Sequence, residues 1–183
     1  MTNWQLRNAI KTLKSGGVIA YPTESVFGLG CDPYNLAAIS KILTIKNRCH
    51  SKGLILLVSD IQQAQPLLKP LSKEQVKQIN RKNDRATTWL LNKASTTSPL
   101  LSGAHNKLAI RIATNPTAKK LCQAFGKPIV STSCNLNTKP TSTKVSDIRN
   151  KMLLKVDKII SGSCCQQPPS RIIDLETQVV LRK

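Results

Sequence analysis

Aromatic rings are scarce in this 183-residue chain, which has two Trp, two Tyr and two Phe. Those six, Trp4, Tyr21, Phe27, Tyr34, Trp89 and Phe125, argue against an RNA-binding sheet that stacks several bases on exposed rings. Acids are short as well: nine Asp and Glu face 28 Lys and Arg, a formal net charge of +19. With 40% hydrophobic and 20% charged residues, a histone-like or disordered basic chain is excluded. No apolar run approaches the roughly 20 residues that cross a bilayer. The longest candidates are Leu54 to Val58 and the interrupted stretch Lys155 to Ile160. The first residues are polar and lack the apolar core of a secretory signal, so a cytoplasmic location is expected. Six cysteines, at 31, 49, 122, 134, 164 and 165, include no Cys-x-x-Cys pair, and His50 and His105 are the only imidazoles. Zinc spacing is therefore missing, no metal-binding residue is assigned, and scattered reduced thiols are expected. Neither an internal repeat nor a linker is found, so residues 1–183 read as one domain.

What is present is an alternation of helices and strands. Leu6, Ala9, Ile10 and Leu13 repeat at helical spacing after a Thr2 cap, and Gly16-Gly17 ends the segment. Val18 to Tyr21 reads as a buried strand stopped by Pro22, followed by a glycine- and hydroxyl-rich loop from Thr23 to Pro33. A helix from the Asn35 cap carries Leu36, Ile39, Ile42 and Leu43. Leu54 to Val58 is an unalternated apolar run, as in a strand covered on both faces. Ser72-Lys73-Glu74-Gln75 has capping-box spacing. Leu108 to Ile112 reads as a strand bearing one cation, Asn115-Pro116 opens a helix that Gly126 closes, and Pro128 to Ser133 is the next strand and its exit. Val156 to Ile160, Ile172-Ile173 and Val179 to Leu181 complete the set. The pattern predicts an α/β domain with a central, partly parallel sheet.

Three constellations carry chemistry. Tyr21-Pro22-Thr23-Glu24-Ser25-Val26-Phe27-Gly28-Leu29-Gly30 turns a strand end into a loop whose hydroxyls serve either a ligand or their own backbone. Lys46-Asn47-Arg48-Cys49-His50-Ser51-Lys52 gathers three cations before a buried strand, either a polyanion site or a solvated basic turn. Ser131-Thr132-Ser133-Cys134-Asn135 ends an apolar strand in groups able to meet phosphate, ribose or a helix end. Pro168-Pro169-Ser170-Arg171-Ile172-Ile173-Asp174 is a weaker fourth.

In this order, over about 150 residues, these segments with Leu-Ala-Ile-Arg-Ile between them resemble the YrdC-like family of threonylcarbamoyl-AMP synthases in its single-domain form. The resemblance implies a twisted mixed sheet with flanking helices around a basic concave cleft. It implies a nucleotidyltransferase that joins L-threonine, bicarbonate or CO₂, and ATP into threonylcarbamoyl-AMP and diphosphate. The product would pass to a tRNA threonylcarbamoyl transferase complex that modifies the adenosine next to the anticodon. Lys46, Arg48 and Lys52 would hold the phosphates and offset the departing charge. Mg²⁺ would be carried mainly by the ATP phosphates, since the sequence offers no acidic cluster. Thr23 and Arg111 would hold threonine, Ser131, Ser133 and Asn135 would orient nucleotide and carbamate, and Thr141 and Ser170 would close the far side. Cys134 reads as packing rather than as a nucleophile.

The chain departs from the family pattern at Cys49, where proline is usual, and at Asn83-Asp84-Arg85-Ala86, where Trp-Pro-Gly-Pro is usual, with Trp89 three residues on. It departs again at Ser161 to Cys165, in place of a glycine pair. Residues 85–146 hold nine cations and no acid, of which only Arg111 has a motif-level role. The remaining field is expected to steer anions or touch tRNA. The competing reading, a tRNA- or double-stranded-RNA-binding module without adenylation activity, rests on that charge and would not need Thr23 or Arg111.

Overall fold

A computed structural model describes residues 1–81, 84–135, 141–152 and 155–182. Helix α1 (Asn3–Lys14) starts on a capping box in which Thr2 and Gln5 satisfy each other's backbone amides. Strands β1 (Ile19–Pro22) and β2 (Phe27–Gly30) form a hairpin, and α2 (Leu36–Lys46) follows its Asn35 cap. After β3 (Ile55–Val58) and a 3₁₀ turn, α3 (Lys73–Asn80) begins on the predicted Ser72–Gln75 box. Next come β4 (Thr87–Asn92), the single turn α4 (Pro99–Ser102), β5 (Lys107–Ile112), α5 (Pro116–Phe125) and β6 (Ile129–Ser133). The chain continues through α6 (Val145–Met152), β7 (Lys158–Ile159), β8 (Arg171–Asp174) and β9 (Val180–Arg182).

Among the described residues the strands form one mixed sheet of order β7-β1-β2-β6-β3-β5-β4-β8-β9. The β7–β1, β3–β5 and β4–β8 pairs are parallel and the others antiparallel, which bears out the partly parallel α/β reading. Side chains alternate between two cores. Ala20, Phe27, Leu56, Ile110 and Val130 pack on one face with Ile39 and Ile42 of α2 and Ile148 and Met152 of α6. Ile19, Tyr21, Leu57 and Ile129 pack on the other with Ala9 and Leu13 of α1 and Leu121 and Phe125 of α5. On that second face α1 and α5 cover only one end of the sheet. Beyond them, residues in phase with Leu57, namely Ile55, Ala109, Arg111, Leu90 and Ile172, form the floor of a cleft.

The expected loop from Thr23 to Pro33 contains a strand, β2, where composition pointed only to a turn. Gly30 is there for want of space rather than for freedom of rotation. A Cβ on it would stand 2.7 Å from Tyr21 Cε1, 2.8 Å from Ile129 Cγ2 and 2.8 Å from the Val130 carbonyl oxygen. Side chains can shift but the paired backbone cannot, so Gly30→Ala should lower stability by about 1–3 kcal/mol. An unchanged urea midpoint would contradict this close approach.

β4 and α6 are further additions to the sequence reading. Trp89 of β4 is buried in the core with Ile110 and Ile173, on the face away from the cleft. Of the Asn83–Ala86 departure, Asn83 lies outside the described residues. The predicted Val156–Ile160 strand contracts to Lys158–Ile159, and Pro22 belongs to β1, opposite Phe27.

Candidate functional site

The cleft has a volume of about 1120 Å³, room for a nucleotide and a second small molecule. Seven of the ten residues singled out from sequence line it: Thr23, Arg48, Lys52, Arg111, Ser131, Ser133 and Thr141. Lys46, Asn135 and Ser170 are not among its lining residues, and Lys46 and Ser170 are buried.

Arg111 is the charge at the centre of the floor. It is buried, as is Glu24, and its Nη2 lies 3.7 Å from Glu24 Oε2. Glu24 Oε1 accepts from the backbone amides of Thr114 (2.8 Å) and Asn115 (3.0 Å), the residues that lead into α5. Burial pushes the Glu24 pKa up, but Arg111 and these amides outweigh it and hold the carboxyl below its ordinary range. The sequence reading gave Glu24 no role, though it is one of the two acids, with Asp32, of the hydroxyl-rich loop. Its stabilising contribution is fully present above the ordinary glutamate value of 4.5 and is lost as the pH falls through the lower folded value. Acid denaturation of the wild type and Glu24→Gln should therefore differ in slope between the two values. Identical acid profiles would remove the carboxylate from this account.

Both Arg111 Nε and Glu24 Oε2 lack a hydrogen-bond partner among the described residues. Thr23 Oγ1 donates to the Val26 carbonyl at 2.7 Å, so its proton is spent on its own turn while its oxygen stays able to accept. Asn115 Nδ2 ties the Thr23 carbonyl and the Ser163 carbonyl, both at 3.1 Å, to the start of α5.

The three cations after α2 have three different environments. Lys46 falls on the buried stripe of α2 with Ile39, Ile42 and Leu43, and its Nζ donates to the Ser133 carbonyl (2.8 Å) and to Asn135 Oδ1 (2.6 Å). Ser133 Oγ donates to the same Oδ1 at 2.7 Å. Burial, with the Arg48 charge beside it, lowers the Lys46 pKa to about 8. Lys46 thus braces the exit of β6 from behind, whereas the sequence reading set it against phosphate. Arg48 lines the cleft, with Nη2 donating to the Gly53 carbonyl at 2.8 Å and Nε without a partner among the described residues. Lys52 is exposed on the rim, and its backbone bridges to Gly103. Gly103 has φ +62°, and a Cβ there would stand 2.2 Å from the Ser51 carbonyl oxygen, so only glycine lets that turn press against the Lys52 loop.

At the far end, Lys107 is held by Asp174 at 2.7 Å and Glu176 at 3.1 Å. Ser170 is buried, sharing a 2.8 Å hydrogen bond with Thr88 Oγ1 and accepting from Arg182, which does line the cleft. No group of three or more His, Cys, Asp or Glu able to hold a metal occurs among the described residues. All six cysteines are free thiols, and Cys134 is packed in the core.

Known proteins resemble this chain in sequence and in fold. Residues 11–183 match the Sua5, YciO and YrdC family model, described as "Telomere recombination". The chain is 39% identical over 181 residues to a Vibrio vulnificus protein named threonylcarbamoyl-AMP synthase, covering 97% of each. It is 38% identical over 178 residues to the one of Coxiella burnetii, covering 97% of this chain and 96% of that one. The E. coli YciO structure superposes with a TM-score of 0.83 at 27% identity, over 100% of this chain and 90% of that one. The structure of P. abyssi Sua5 complexed with L-threonine gives 0.86 at 26% identity over 95% of this chain, which spans about half (52%) of that longer protein. The chain belongs to the Sua5–YciO–YrdC family, matching over nearly their whole length relatives named threonylcarbamoyl-AMP synthase.

Proposed function

We propose that this cleft makes threonylcarbamoyl-AMP and diphosphate from L-threonine, bicarbonate and ATP. The observation that carries the reading is Arg111, a guanidinium fixed in the cleft floor beside buried Glu24 with a donor still uncommitted. An amino acid needs one fork for its carboxylate and acceptors for its ammonium, and Arg111 and the Thr23 oxygen supply both kinds of group. The P. abyssi protein, solved with L-threonine, shares the fold over this region, which supports the reading.

In the first step the threonine ammonium gives a proton to solvent, the neutral amine attacks the bicarbonate carbon, a C–N bond forms, and a C–O bond breaks as water departs, leaving a carbamate. A carbamate oxygen then attacks the α-phosphorus of ATP, and the electron pair of the broken P–O bond leaves with diphosphate. Both partners in that step are anions, so fixed cations and donors must offset their repulsion. Arg48 and Lys52 hold the polyphosphate, Lys46 keeps the Ser133–Asn135 turn in place, and Ser131, Ser133 and Thr141 contact nucleotide or carbamate. Asp174, which lines the cleft, is held by Lys107, and Glu24, buried beneath the floor, is held by Arg111 and two backbone amides. They offer Mg²⁺ no cage, so the ion enters with the ATP phosphates and no step here runs through a protein-bound metal.

The product is an acyl adenylate, consumed in the cytoplasm by a transferase that modifies tRNA. Cations outside the cleft, such as Arg7, Lys11 and Lys14 on α1 and Lys119 and Lys120 on α5, add a field that draws anions in. Purified protein should release diphosphate only when L-threonine, bicarbonate and ATP·Mg²⁺ are all present. Binding of tRNA without any diphosphate release would replace the synthase reading with the RNA-binding one.

A further inference from the structure

Tyr21 is fully buried in the second core, yet its hydroxyl has no hydrogen-bond partner among the described residues. An orphaned phenol is costly to bury, and phenylalanine would fill the same space without that cost. The glycines of β2 show where the ring points. Tyr21 stands opposite Gly28, and Gly28 opposite Ser133 of β6, so β2 lies between the tyrosine and β6. A Cβ on Gly30 would stand 2.7 Å from Tyr21 Cε1 and 2.8 Å from Ile129 Cγ2, which lays the ring across β2 and against β6. A Cβ on Gly28 would stand 3.4 Å from Ser131 Oγ and 3.1 Å from Thr23 Cγ2, so the Ser131 hydroxyl leans into the same lane beside Thr23. Two residues without side chains thus open a passage from Tyr21 to Ser131, which is itself buried and lines the cleft. Burial, with the Cys122 thiol near by, pushes the Tyr21 pKa up, while Ser131 through hydrogen bonding and Arg111 through its charge oppose the rise. The phenol keeps its proton and is a donor within reach of Ser131.

We infer that Tyr21 is a positioning residue, whose hydroxyl donates to Ser131 Oγ and so turns the Ser131 proton toward the carbamate in the cleft. The inference rests on the synthase reading. A serine hydroxyl has one proton and can give it to one acceptor. With Tyr21 donating to the Ser131 oxygen, that proton is directed away from the core and into the cleft, on the side where Thr23 stands. The carbamate is an anion about to attack another anion, so a donor aimed beforehand serves it better than a hydroxyl free to turn either way. Each hydrogen bond in such a chain polarises the next, so the phenol's bond closes as Ser131 gives its proton to the carbamate. A hydroxyl left uncommitted within the protein is thereby accounted for.

Diphosphate release and thermal melting of the full chain test this together. Tyr21→Phe keeps the ring and gives up no bond made within the protein, so it should melt at the wild-type temperature or above it. Its kcat/KM for threonine should nevertheless fall about tenfold, with the KM for ATP within about twofold of the wild type. In a Ser131→Ala background the same substitution should cost less than about twofold more, because the hydroxyl that Tyr21 aims is already gone. An unchanged kcat/KM for threonine in Tyr21→Phe overturns the inference while the synthase reading stands, whether or not the variant melts lower. A loss that repeats in full in Ser131→Ala overturns it as well, since the two hydroxyls would then act independently. A wild type that releases no diphosphate with all three substrates overturns the synthase reading, and the inference falls with it.

Discussion

Arg111→Leu should be damaged twice, in stability and in its use of threonine. Glu24 stays buried and ionised without its cation, and breaking such a pair from one side costs about 3–5 kcal/mol. The lower end is expected here, because the 3.7 Å separation is long and two backbone amides still reach the carboxylate. For a domain of this size each kcal/mol lowers Tm by about 2–4 °C, so a fall of roughly 6–12 °C follows. The loss should shrink in the Arg111→Leu, Glu24→Gln double variant, where no charge is left unpaired while an amide oxygen can still accept from Thr114 and Asn115. Acid behaviour should also change. Without Arg111, one of the groups that hold the Glu24 pKa down is gone while burial still pushes it up, so less stability should be lost as the pH falls than in the wild type. Activity should follow a different rule, with kcat/KM for threonine down about a hundredfold in both variants, since neither restores the fork. A single variant that melts with the wild type, or a double variant that regains threonine use, would break the link between Glu24 and Arg111.

How much of this was legible in the sequence depended on whether a residue's role is set by its own helix or strand. The Ile39, Ile42 and Leu43 face of α2, the Ser72 capping box and the Asn115-to-Gly126 helix depend on local spacing and were read correctly, whereas Leu36 at the start of α2 is exposed. Lys46 was legible in principle, because it follows Ile39, Ile42 and Leu43 at seven, four and three residues, the phase of the buried face. Its place among three neighbouring cations drew attention to charge instead. Gly28 and Gly30 misled for another reason: composition cannot tell a glycine that turns from one that makes room, and the crowding at Gly30 comes from β1 and β6. Ser170 and Arg182 were not separable from sequence at all. Their hydrogen bonds join a strand entrance to the chain's last described strand, and which of the two meets the cleft depends on β8–β9 register.

Arg48→Ala should reduce turnover about 10²–10³-fold, the loss seen when one preorganised donor is removed from developing charge. The structure separates this from a folding defect. Among the described residues the Arg48 side chain makes one hydrogen bond, to the Gly53 carbonyl, so its removal should cost stability only about 1 kcal/mol. Because the guanidinium acts on charge that grows on the departing diphosphate, the loss should fall on kcat more than on the KM for ATP. Arg48→Lys restores a point charge but cannot both bond Gly53 and fork an oxyanion, so it should recover only part of the rate. Free guanidinium added to Arg48→Ala should raise its turnover and leave the wild type unchanged, because the cavity left behind opens on the cleft. Lys46→Ala gives the contrast: with Nζ gone, the Ser133 carbonyl and the Asn135 side chain lose a buried donor, so both stability and turnover should fall and guanidinium should restore neither. If Arg48→Ala turned over at near wild-type rates, the cation at the diphosphate would have to be sought at Lys52, exposed on the rim.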